Sequence, residues 1–248
     1  MLLFASFWND RLSGSGWVNN LKIFVEDIMD KEIEYFVEQL EEAAKSNLIS
    51  AILYGSFADQ VEKKNKSDIN IMIILKEISD AHIFNMRDVI RKNIKKLRLN
   101  PIIITKEEHL NSLDVFPVEY LEMKENFKVV YGDDLITGID VTNENLQHQI
   151  EFELRSKLIL MRKMWFNIEN DAKVMKLFLV RNSASFCFLA KYADRILKEK
   201  HTLNLNIFEK INKVKKDEVK ADKILLNKLY WELHYTVTEL TKKIDEIK

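Results

Sequence analysis

The chain has little that bends or cross-links it: among 248 residues there are two prolines, five glycines and one cysteine. A single cysteine excludes a disulfide framework and fits a reducing, cytoplasmic setting. Cys187 lies in the apolar run Ser185-Phe186-Cys187-Phe188-Leu189 and is expected to be a packed thiol. With turn-formers so scarce, each glycine is expected to sit where the backbone requires one. An excess of either charge is also lacking. Thirty-eight Lys and Arg against 39 Asp and Glu leave a net charge of −1, so the overall balance demands no polyanionic partner. No apolar run approaches the length of a membrane span, so no membrane partner is expected. The opening residues Met1 to Trp8 are apolar like a leader, but they lack a basic start, and Asp10 and Arg11 interrupt them. Ser13-Gly14-Ser15-Gly16 reads as flexible linker, and residues 1–28 read as an N-terminal extension of unassigned role.

What the chain does contain is apolar (47%) and charged (31%) residues in the proportions of a folded protein, enough for one large domain or two modest ones. From Asp30 to Ser46, Ile33, Phe36, Val37, Leu40 and Ala44 recur at helical spacing. A strand ending at Tyr54 follows, then a Gly55-Ser56 corner, a charged loop from Asp59 to Lys66, and a second strand through Ile71 to Leu75. Residues 78–97 form a helix ending in Lys95-Lys96, and Pro101 opens a strand through Thr105. Thr105-Lys106-Glu107-Glu108 has the form of a capping signal for a short helix through Leu113, and Phe127 to Gly132 reads as a last strand and turn. Beyond Asn143 the pattern is helical throughout. Leu154, Leu158, Met161, Trp165 and Ile168 form one stripe; Val174, Leu177, Phe178, Phe188, Leu189, Tyr192 and Ile196 form a second. A short helix spans 207–214, and a last one carries Ile224, Leu225, Leu229, Leu233, Val237, Leu240 and Ile244. The expected fold class is α+β, with a small mixed-sheet domain over 29–142 followed by a helical bundle over 143–248.

Chemistry concentrates at the Gly55-Ser56 corner. Bare N–H groups and a hydroxyl beginning a helical turn hold an anion well, and glycine lets phosphate approach the main chain. Eleven residues lie between Ser56 and Asp68. Asp68 and Asn70, two apart on a strand, leave the same face and offer two oxygens next to that cradle, which suggests magnesium. Lys63, Lys64 and Lys66 in the loop suit a triphosphate, although a solvated charged loop is the commoner use of such residues. The plain alternative for the whole stretch is a buried hairpin with a serine in its turn.

Tyr54-Gly55-Ser56 and Ser67-Asp68-Ile69-Asn70-Ile71, at this spacing, resemble the Gly-Ser…Asp-x-Asp signature of the DNA polymerase beta type nucleotidyltransferase superfamily. The match covers about a tenth of the chain. Phe116-Pro117-Val118-Glu119 followed by Tyr131-Gly132 and a helical tail resembles a bacterial branch of it whose signature carries Asp-x-Asn, which makes Asn70 ordinary for that branch. The resemblance implies magnesium-dependent transfer of a nucleoside monophosphate from a nucleoside triphosphate to a hydroxyl on a small molecule or protein. Gly55, Ser56 and Lys66 would hold the nucleotide, and Asp68 and Asn70 the metal. Three departures weaken the chemistry: Asn70 stands for a second aspartate, Asp59 lies where the superfamily often has a basic residue, and Pro101 to Thr105 brings no third carboxylate. A two-metal clamp needs more negative charge than one aspartate and one amide supply, so the active site is expected to be degenerate. Glu119 and Glu153 are the speculative extra acids, against the commoner role of Glu119 as a surface or capping residue.

The alternative function is a catalytically inactive nucleotide-binding or scaffold protein, including an antitoxin-like partner. In the superfamily such a bundle holds the acceptor or part of a dimer interface, which brings in a homodimer. His148, His201 and His234 show no metal spacing, and Arg181 within its apolar helix is expected to pair with an acid across the bundle.

Overall fold

The structure is a computed structural model that describes residues 16–55, 68–197 and 206–247. The chain divides into two compact units, one of residues up to His109 together with Asn126–Leu135, the other of Leu110–Glu125 with the residues from Ile136 onward. The division differs from the expected boundary at 142/143, because 110–125 and 136–142 join the helical unit. The expected 28/29 boundary falls inside one continuous helix, α1 (Gly16–Ala44).

The first unit is a four-stranded mixed sheet of order β3-β2-β1-β4. After α1 and a 3-10 turn at Lys45–Asn47, β1 (Leu48–Tyr54) runs antiparallel to β2 (Ile69–Leu75). The helix α2 (Asp80–Leu97) then carries the chain over to β3 (Leu99–Thr105), parallel to β2. A parallel neighbour needs such a crossover. The outer side of β1 is closed by β4 (Phe127–Gly132), antiparallel. Both central strands are apolar along nearly their whole length, as strands covered on two faces must be.

The five residues that mark α1 at sequence level, Ile33, Phe36, Val37, Leu40 and Ala44, are all buried. Met86, Ile90 and Leu97 of α2 join them, and both helices cover the sheet face formed by Ala51, Leu53, Ile69, Ile71, Ile73, Leu75 and Leu99. Alternation along the strands places Asn70, Met72 and Ile74 on the opposite face. Ser79 starts α2 as its N-cap, accepting a bond from the His82 N–H. Pro101 is tolerated within β3 because that strand lies at the sheet edge.

The Thr105 capping signal is present in full. The Glu108 N–H donates to Thr105 Oγ1 at 3.0 Å, and the Thr105 N–H donates back to Glu108 Oε2 at 2.7 Å, opening α3 (Lys106–Asn111).

In the second unit, α4 (Pro117–Glu125) begins with proline at its first position, where no N–H is missed. The helices α5 (Asn143–Ile168), α6 (Ala172–Leu197), α7 (Asn206–Lys215) and α8 (Lys223–Asp245) form the bundle. Tyr230 is fully buried, donates to the Met161 carbonyl and lies 5.0 Å from the Trp165 ring. Burial pushes its phenol up to about 12. On α6 the buried stripe is Met175, Phe178, Leu179, Phe186, Leu189 and Ala190, whereas Val174 and Leu177 are exposed. Cys187 is exposed rather than packed, since it neighbours Phe186 on the helix but points about 100° away from it. Arg181 is exposed, and the expected cross-bundle ion pair does not form among the described residues. Ile224 at the start of α8 is likewise exposed.

Candidate functional site

At one end of the sheet four strand ends meet. The last residue of β1, Tyr54, pairs with Asn70 of β2 on one side and with Phe127 of β4 on the other, and Asn70 pairs with Asn100 of β3. Gly55 caps β1 at φ +76°, in the left-handed region, and its N–H donates to the Asn126 carbonyl at 3.0 Å. A Cβ at this position would lie 3.2 Å from Asn70 Nδ2. Glycine here therefore does two things at once. It lets the chain turn, and it leaves room for the asparagine of the neighbouring strand.

Asn70 is held on its other side as well, because Asn100 Nδ2 donates to Asn70 Oδ1 at 2.9 Å. Asp68 sits one residue ahead of β2, not within it, and is exposed. Arg98 reaches it, with an Nη2–Oδ1 distance of 2.9 Å. The arginine is fixed by its own backbone: at φ +55° it caps α2, its N–H donates to the Asn93 carbonyl, and its carbonyl accepts from the Ile69 N–H at 3.0 Å.

Ser56 and Lys66 lie outside the described residues, as do Lys63 and Lys64. Glu119 belongs to the helical unit, where its Oε2 accepts from Gln149 Nε2 at 2.7 Å while Gln149 Oε1 accepts from the Val118 N–H. This clasp gives Glu119 a structural employment at the first turn of α4. Glu153 lies on α5 with Lys157 one turn on, at 3.5 Å.

Arg98 and Asn100 are functional candidates absent from the sequence reading. Pro101 looks like a strand start, but β3 begins two residues earlier, in register with β2. Two parallel strands that start together place the residue before each in proximity, which is how Asp68 and Arg98 meet.

The described side chains do not fit a divalent cation. A hard cation takes six or more oxygen ligands, and anionic ones offset its dehydration. Here one carboxylate already faces a guanidinium and one amide oxygen already accepts a hydrogen bond. Among the described residues no three His, Cys, Asp or Glu side chains are grouped as a metal site would require. A groove of about 380 Å³ between α1 and β4 is no better placed for a polyanion, since Asp30, Glu34, Glu38 and Glu41 line it against a single Lys128.

No protein-family model matches the chain, and no curated protein matches it either. Solved structures do. A spectinomycin adenyltransferase, AAD(9), from Enterococcus faecialis, solved with ATP and spectinomycin, aligns with 90% of this chain and 99% of its own, at 14% identity and a TM-score of 0.45. A mutant of the toxin–antitoxin pair MntA-HpeT aligns with 41% of this chain and 74% of its own at 16% identity and a TM-score of 0.29. A toxin–antitoxin structure with AMP-PNP gives the same coverage and TM-score at 19% identity.

Proposed function

We propose that this is a nucleotidyltransferase-type protein that binds a nucleoside triphosphate at the Gly55 end of its sheet, with a degenerate centre for transfer. The observation that carries this reading is the juxtaposition of Gly55, turned to φ +76°, with Asn70 against it and Asp68 at the head of the same strand. The superfamily resemblance assigns the phosphate to Gly55 and Ser56 and a supporting positive charge to Lys66. The superfamily resemblance assigns Asp68 and Asn70 to a magnesium ion, which their described arrangement, with Arg98 on the carboxylate and Asn100 on the amide oxygen, does not fit. The ion pair and amide pair at these positions favour nucleotide binding over a working two-metal clamp.

Binding is tested by titrating the purified chain with each of the four ribonucleoside triphosphates and following its melting temperature. At least one of them is expected to raise it. Transfer is tested separately with α-labelled nucleotide and a panel of hydroxyl acceptors. Label on a product would replace the degenerate reading with an active transferase; no thermal shift with any nucleotide would overturn the reading and leave a scaffold.

A further inference from the structure

Arg98 occupies an expensive place. It is a non-glycine residue at φ +55°, at the end of a helix where glycine is the usual occupant. Residues kept in such conformations cluster at functional sites because the surrounding structure holds them there for a purpose. Here the holding is visible: the N–H is tied to Asn93, the carbonyl to Ile69, and the guanidinium to Asp68. The side chain is 57% exposed at the same sheet end as Gly55 and Asn70. A guanidinium carries five N–H donors in a rigid fork whose geometry matches both carboxylate and phosphate oxygens.

We infer that Arg98, in place of a divalent cation, links Asp68 to the phosphate oxygens of a bound nucleoside triphosphate, so that nucleotide binding is independent of metal. This rests on the nucleotide reading above. Asp68 then serves as the group that aims the arginine, and Asn70, closed by Asn100, has no ligand role. The positive charge a metal would bring comes from a side chain that the fold has already positioned, so no ordering of free ions accompanies binding.

The test is calorimetric titration of the full chain with the four ribonucleoside triphosphates, in magnesium chloride and in EDTA, on the wild type, Arg98→Gly and Arg98→Lys. Glycine suits the left-handed backbone, so the Gly variant keeps its fold, checked by an unchanged or raised melting temperature. Expected is binding that survives EDTA in the wild type, a Kd raised at least about tenfold by Arg98→Gly, and partial recovery with Arg98→Lys, which keeps the charge but loses the fork. Binding that requires magnesium, or that Arg98→Gly leaves intact, would overturn the inference while sparing the nucleotide reading. Failure of every nucleotide to bind under both conditions would overturn both.

Discussion

Two glycines of the first unit sit in the same backbone region and answer to different constraints. Gly132 turns at φ +72°, and a Cβ there would lie 1.9 Å from the Ile49 carbonyl oxygen and 2.9 Å from its carbon. Those atoms belong to the main chain of the central strand and cannot give way. At Gly55 the nearest atom is the end of a side chain, Asn70 Nδ2 at 3.2 Å. Gly132→Ala is therefore expected to cost about 3 kcal/mol or more, or to prevent folding, read from the denaturant midpoint. Gly55→Ala is expected to cost about 1–2 kcal/mol for the left-handed backbone and to push Asn70 off Asn100; because its added Cβ would also stand at the corner proposed to face phosphate, the proposed nucleotide binding should weaken more than stability does. A Gly132→Ala variant as stable as wild type would contradict the backbone account.

At the scale of elements, most of what forms could be seen in the chain beforehand. The α1 stripe, the strands β1 and β4, and the Thr105 capping signal are local patterns, each fixed by residues within a few positions of one another. Thr105→Ala removes the hydroxyl that accepts from Glu108 and is expected to lower stability by about 1 kcal/mol; an unchanged urea midpoint would show α3 to be held by its packing alone. What the sequence does not display depends on partners distant along the chain. Arg98 became relevant only through the parallel register of β2 with β3, and Asn100 only through its pairing with Asn70. On α6 the failure has another origin. That helix is apolar over much of its circumference, so period alone does not distinguish Val174 and Leu177, which face water, from Met175 and Leu179, which do not.

At the scale of the molecule, the first unit is discontinuous in sequence, leaving at His109 and returning at Asn126. A contiguous reading divides the chain at composition shifts and has no means of seeing that 110–125 belongs elsewhere. The exits of the first unit are tied together, since His109 Nε2 donates to the Leu135 carbonyl at 3.0 Å and the histidine is fully buried. Burial holds its imidazole below the ordinary value of 6.5, partly opposed by that bond. His234 is shifted the same way, by burial and by Arg162 beside it. Below about pH 6.5 the unfolded chain takes up protons that the folded one refuses, so stability is fully present above that pH and falls as the pH drops. The denaturant midpoint should therefore fall between about pH 8 and pH 5, and less so in His109→Gln, which keeps a donor without the titration. An identical pH profile in the variant would assign the dependence to His234 and the carboxylates.

The position of β4 also bears on how the protein is made. As it is synthesised, β1 can pair with β2 once Leu75 has emerged, but its other margin stays bare until Gly132 has followed. During that interval a nascent chain shows an unpaired, strongly apolar strand, the kind of edge that recruits strands from other chains. A fragment ending before Asn126 would keep that margin permanently, and is expected to aggregate where the longer protein does not.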